Sequence, residues 1–198
     1  MKNSIKILFT LLVVSFFTAC SFKQNVLNIN HYAIAFSSNN QILENSSKSI
    51  YIEKPEVNKS FNTNAILYSS KLYLFEEYAK NRWINQPKYM IHDNLTQTFE
   101  KSNIFKFVLQ KKSNIDFDYS LKTNISTLYH KIEVDKSFAI LKIRFDLISG
   151  KKYIKTYSYD KKLLCDSTDA YGFVLALNKA FAEVVNDLTT QIKSEIKD

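Results

Sequence analysis

Two cysteines, two glycines, two prolines and one tryptophan in 198 residues rule out several common architectures. So few cysteines cannot frame a disulfide-stapled scaffold. Scarce glycine leaves no Gly-rich phosphate loop, and scarce proline and glycine leave no low-complexity spacer. The three histidines, His31, His92 and His130, are too far apart for a metal-ligand spacing, and no zinc pattern occurs. No apolar run approaches the roughly 20 residues needed to cross a bilayer. What is abundant is apolar and aromatic side chain: 45% hydrophobic and 14% aromatic residues suffice for a real core, organised by default as one domain.

The longest apolar run lies at the N-terminus. Lys2 and Lys6 precede or interrupt a stretch from Ile5 to Phe17, short enough for the hydrophobic region of a signal peptide. Small residues Thr18 and Ala19 follow, then Cys20. This order resembles the lipobox of bacterial lipoproteins, with Phe17 standing where an aliphatic residue is usual. Residues 1–19 thus read as a cleaved signal peptide, cut between Ala19 and Cys20, with diacylglycerol and an N-acyl lipid on Cys20. Two or more acyl chains give stable membrane anchoring, whereas one gives only marginal binding. Residues 20–30 form a polar, lipidated tether, and residues 31–198 form the domain. No cofactor beyond the covalent lipid is implied.

Of 27 lysines and arginines, Lys2 and Lys6 leave with the signal segment, so the remainder exceeds 19 acidic residues by about six. That surplus suits anionic headgroups or acidic partners, and does not single out nucleic acid. With Cys20 lipidated, Cys165 has no partner for an internal disulfide and reads as a buried or half-buried thiol.

Along the domain, His31 to Phe36, Ser49 to Glu53 (ended by Pro55), Ala65 to Tyr68 and Ile104 to Leu109 read as short strands. Ser37 to Ser49, rich in Ser and Asn, reads as a loop. Lys71 to Trp83 fits either a helix or a strand. Pro87 suits a first helical turn, and Ile91, Leu95 and Phe99 form one stripe of a helix over about Gln86 to Lys101. Phe117, Tyr119, Leu121, Thr123, Ile125, Thr127 and Tyr129 alternate with polar residues, the pattern of a long half-buried strand. Ala139, Leu141, Ile143, Phe145 and Leu147 repeat it, opposite Lys142, Arg144 and Asp146. Ser149–Gly150 supplies a turn before a strand carrying Tyr153, Tyr157 and Tyr159. Ser167 to Asp169 can cap a last helix of about 38 Å, striped by Leu177, Phe181, Val184, Leu188, Ile192 and Ile196. The expectation is an α+β fold: an antiparallel sheet with one wet face and two main helices packed on the other.

Catalytic chemistry is nearly absent. Asp116 and Asp118 fall on the polar face of a long strand and read as solvated, and His92 beside Asp93 reads as a surface residue. Asn94-Leu-Thr96 and Asn124-Ile-Ser126 match the glycosylation acceptor pattern by chance in an Asn-rich chain. The chain reads as no enzyme.

One set of residues, taken in order, is more specific than any of its parts. Ala65-Ile-Leu-Tyr68 is followed by Tyr78, Trp83 and Pro87 in a Tyr-x4-Trp-x3-Pro segment, then Met90, Leu95 and Phe105-Lys-Phe-Val108. With Leu175 to Phe181, this order resembles the ABC-type transport auxiliary lipoproteins (PqiC-like lipoproteins) over about residues 31–196. The resemblance implies a periplasm-facing α/β domain in which Lys71 to Tyr78 is extended. It implies work beside an ABC permease, its ATPase and an MCE (mammalian cell entry) subunit, in phospholipid or similar lipid transport, without ATPase activity in this chain. A homo-oligomer is compatible with it. In the bare residues Trp83 reads as a packing anchor before the Pro87 helix. The segment from Cys165 to Ala170 is shorter and more polar than the family pattern. Ser21, by the enterobacterial sorting rule, implies the outer membrane. The alternatives are an envelope lipoprotein of another class, such as a surface interaction protein or outer-membrane assembly factor, and a hydrolase of unknown type.

Overall fold

The computed structural model describes residues 28–36, 46–111 and 115–196. The signal segment 1–19, Cys20, Ser21, most of the tether and most of the 37–49 loop lie outside them. In chain order the elements are β1 (Asn30–Tyr32), β2 (Ser49–Ile52), β3 (Glu56–Val57), β4 (Ala65–Lys71), β5 (Leu74–Trp83), α1 (Pro87–Ser102), β6 (Phe107–Leu109), β7 (Tyr119–Ile132), β8 (Ser137–Ser149), β9 (Lys152–Leu164) and α2 (Ala170–Glu195).

The sheet is built on β7. One edge of β7 pairs antiparallel with β8, which pairs antiparallel with β9. The other edge is shared by three short strands, all parallel to it: β2 beside Tyr119–Leu121, β3 beside Asn124–Ile125, and β4 beside His130–Lys131. From β4 an arm continues through antiparallel β5 to β1, which lies parallel to β5. From β2 a second arm continues to parallel β6. The sheet is therefore mixed, not antiparallel as the alternation suggested. Alternation reports which face a side chain takes, not the direction of the neighbouring strand. The chain from β4 to β7 runs through β5, α1 and β6, long enough for a crossover connection to a parallel neighbour.

Both helices bury the stripes expected of them, except that α2 ends at Glu195 and leaves Ile196 half-buried beyond it. Ile91, Leu95 and Phe99 of α1 are fully buried, as are Phe173, Leu177, Phe181, Val184, Leu188 and Ile192 of α2. Pro87 opens α1, where its missing N–H costs nothing. Asp169 caps α2 by accepting the Gly172 N–H at 2.8 Å. The first strand is shorter than expected because two asparagines take over its backbone partners. Asn94 Nδ2 donates to Ile34 O at 2.9 Å and Asn94 Oδ1 accepts from Phe36 N at 3.1 Å. Asn178 Oδ1 accepts from Ala35 N at 2.9 Å, and Asn178 Nδ2 donates to Ala33 O at 3.3 Å. Residues 33–36 are thus pinned to both helices instead of to a strand.

The long alternation of β7 is broken once. A register shift between Ile125 and Thr127 leaves Ser126 as an extra residue against β8, a bulge of the kind that reverses facing. Before it, Leu121, Thr123 and Ile125 are buried; after it, Leu128 and His130 are. Tyr129, expected on the core face, turns instead toward Phe61 and Phe75, with ring centroids at 6.1 and 5.0 Å. On β8, Ala139, Leu141, Ile143, Phe145 and Leu147 are all buried as expected, but so is Asp146. Its carboxylate accepts from Thr156 Oγ1 at 2.7 Å and pairs with Arg144 at 3.3 Å, which satisfies it away from water.

Candidate functional site

The segment from Lys71 to Trp83, open to either reading in the sequence, is extended: Lys71 closes β4, Leu72–Tyr73 turn, and Leu74–Trp83 form β5. Extension puts Tyr78 beside Tyr68 of β4, ring centroids 4.8 Å apart. The Tyr78 hydroxyl shares a hydrogen bond of 2.7 Å with His130 Nδ1. The His130 ring stacks on Phe173 at 5.1 Å, and Trp83 meets the same Phe173 at 6.1 Å. Tyr68, Tyr78 and Trp83 therefore converge, through His130, on the first turn of α2. Trp83 is 1% exposed, a packing anchor, and Pro87 is buried four residues on. Tyr68, Tyr78 and Trp83 form a joint between the β4–β5 arm and α2, Trp83 buried and the two tyrosines half-buried, while Pro87 starts α1 beside it.

The electrostatics of the joint fit that role. Burial pushes the Tyr78 hydroxyl well above its usual range, reinforced by Asp169. Burial lowers the His130 pKa to about 4, against an opposing pull from Asp169. His130 is thus neutral at physiological pH, and its Nε2 is buried without a partner. Burial also raises the Cys165 thiol, and Cys165 is buried as expected. An unionised buried thiol is a poor nucleophile.

His92, expected at the surface, is 6% exposed. Its Nε2–H donates to the Ile52 carbonyl at 3.0 Å, tying α1 to the end of β2. The position beside Asp93 concealed this; its spacing of one from Ile91 and three from Leu95 was the available signal. Asp116 is exposed, as read. Asp118 is not merely solvated: it accepts from Ser49 N at 2.9 Å and Ser49 Oγ at 2.8 Å, bonds that lower its pKa. Among the described residues no three His, Cys, Asp or Glu side chains are placed to hold a metal ion, and no helix is long and apolar enough to cross a membrane.

A different region is conspicuous for exposed apolar surface. The β4–β5 hairpin turns on Leu72 and Tyr73, which are 79% and 92% exposed, with Phe75 at 48%. The β7–β8 hairpin turns beside it on Val134, 98% exposed. Because β4 and β7 are parallel, both turns fall at one end of the sheet. They enclose an open groove of about 660 Å³, lined by Leu72, Tyr73, Phe75, Tyr129, Ile132 and Val134 among others. Tyr73 has φ 65°, a left-handed conformation that costs a residue with a Cβ about 1–2 kcal/mol. Glycine or asparagine would relax such a turn. No single periodicity in the sequence marked this end, since it forms only when two hairpins 60 residues apart meet.

The comparisons with known proteins agree on the fold. The profile of the family described as "ABC-type transport auxiliary lipoprotein component" matches residues 32–189. The crystal structure of protein XCC0632 from Xanthomonas campestris, assigned to family DUF330, superposes with a TM-score of 0.74 at 15% identity. The superposition covers 84% of this chain and 96% of that one. An uncharacterized protein superposes at 0.67 and 11% identity, over 83% and 99% of the two chains. The hypothetical protein CT253 from Chlamydia trachomatis does so at 0.53 and 4% identity, over 76% and 98%. At these identities the likeness is one of fold. No curated protein matches the sequence.

Proposed function

Because the chain belongs to the family of ABC-type transport auxiliary lipoprotein components, we propose that it is a lipid-anchored, non-catalytic accessory subunit of an ABC/MCE-type system moving phospholipid or a similar lipid through the bacterial envelope. The observation that carries this reading is the profile match over residues 32–189, which takes in nearly all of the sheet and both helices. The sequence around Cys20 supports lipid anchoring, and Ser21 supports the periplasmic face of the outer membrane.

The described side chains support a structural role. Groups that elsewhere serve as acids, bases or nucleophiles are engaged in packing: His130 with Tyr78, Asp118 with Ser49, and Cys165 in the core. The body supplies surfaces, and the tail supplies residence at a membrane. Crosslinking in intact cells, followed by identification of the attached chains, tests the proposal. Permease, ATPase and MCE subunits are expected. Recovery of the protein alone under several crosslinking and mild detergent conditions would count against it.

A further inference from the structure

We infer that the end of the sheet bearing Leu72, Tyr73 and Val134 rests on the bilayer into which the Cys20 lipid inserts, seating these side chains among headgroups and upper acyl chains. The inference rests on the lipid-anchor reading and adds an orientation to it.

The path of the chain is the first argument. β1 is parallel to β5, with Asn30 level with Asn81 and Tyr32 with Trp83. β5 starts at the Leu72–Tyr73 turn and runs away from it, so β1 also runs away from that turn. The chain preceding Asn30 therefore enters from the side of the exposed turns. From Ala65, which pairs with Arg82, to Lys71 at the turn is six steps of β4, about 20 Å at the strand rise. Ten residues separate Cys20 from Asn30 and span at most about 33–36 Å. The lipidated sulfur thus reaches the plane of the turns with roughly 13–16 Å in hand. Reaching the opposite end, at the Ser149–Gly150 turn, requires the chain to reverse direction first.

The composition of the turns points to the same surface. Leu72, Tyr73 and Val134 are the most exposed large apolar residues at this end, and each projects from a hairpin tip. Tyrosine is favoured at membrane–water interfaces, where its ring is shielded and its hydroxyl stays wet. Tyr73 is held there in a left-handed turn that a smaller residue would adopt more readily. Charge at this end is balanced, Lys71, Lys131 and Lys136 against Glu76, Glu133 and Asp135, so apolar insertion is the attraction.

The test uses the full chain, purified from membranes with its own processing and placed in vesicles of phosphatidylethanolamine and phosphatidylglycerol. Leu72→Trp and Val134→Trp report from the two turns, and Tyr153→Trp reports from the exposed opposite end. The resident Trp83, 1% exposed, gives a constant background. With acyl-chain-brominated lipids, the turn tryptophans are expected to lose at least half their added emission, and the Tyr153→Trp signal to stay unquenched. Equal, water-like emission from all three variants would overturn the inference, as would quenching confined to Tyr153→Trp. Crosslinks from these positions to a second copy or another protein, with no quenching, would also overturn it. Mass spectrometry of Cys20 in the same samples separates the two readings. A bare thiol refutes the anchor whatever the fluorescence shows, and unquenched turns on an acylated chain refute only the orientation.

Discussion

Tyr78 and His130, 52 residues apart, are joined by a 2.7 Å hydrogen bond at the edge of the core, with the two rings also stacked at 6.1 Å. The bond links the β4–β5 arm to the central strand β7. His130 is fully buried and Tyr78 half-buried, so losing the Tyr78 hydroxyl strands the imidazole.

Tyr78→Phe keeps the ring and removes the hydroxyl, leaving His130 with both nitrogens unpartnered. Urea unfolding should show a loss of about 1–2 kcal/mol. A double-mutant cycle with His130→Phe should give a coupling energy of about 1 kcal/mol. Strictly additive losses would mean that the bond contributes nothing.

Stability should fall on acidification before the carboxylates titrate. His130 has a pKa of about 4 when folded, against 6.5 for the unfolded residue. The unfolded chain therefore takes up a proton that the folded chain refuses, and stability increases with pH. The contribution is complete above pH 6.5 and is lost as the pH drops toward 4, by at most about 3 kcal/mol. Urea midpoints at pH 7, 5.5 and 4.5 should drop for the native chain and fall less steeply for His130→Phe. Parallel pH profiles would show that His130 is not responsible.

Gly172→Ala should destabilise, although alanine is the better helix former by about 1 kcal/mol. Gly172 lies in the first turn of α2, where an added Cβ would overlap the Ser167 backbone oxygen and hydroxyl. The backbone must move to admit it, at about 1–3 kcal/mol. A thermal melt reads the change, and a raised Tm would show that the turn gives way freely.

Cys20→Ala should leave an uncleaved precursor without lipid. Gel mobility, the N-terminal mass and partitioning into detergent check it. Unchanged processing and partitioning would show that Cys20 is not the attachment point.

Much of the fold was legible in the residues because burial imposes a period, and the period survives in the sequence. The stripes of α1 and α2 and the buried face of β8 all lay where Ile91, Phe181 or Phe145 pointed. What was not legible depends on contacts between distant segments. Ser126 gives no local sign that it is an extra residue, yet it exchanges Tyr129 for His130 in the core. The parallel direction of β2, β3 and β4 follows from the route of the chain, not from any feature within those strands. The motif Tyr68, Tyr78, Trp83 and Pro87 could be read, but its centre, His130 and Phe173, could not. These two lie in separate elements and meet only in the folded chain.

Synthesis and export both deliver a chain from its N-terminus. Until residues 119–132 arrive, β2, β3 and β4 lack the edge on which they align. A nascent segment ending at Asp118 holds α1 and the pairings β1–β5, β4–β5 and β2–β6, but not the strand that joins these two- and three-stranded pieces into one sheet, and such small sheets are marginal in water. Late appearance of the hub leaves the two arms of the leading half unjoined, and in the exported chain proposed above it defers closure until most of the polypeptide has been delivered.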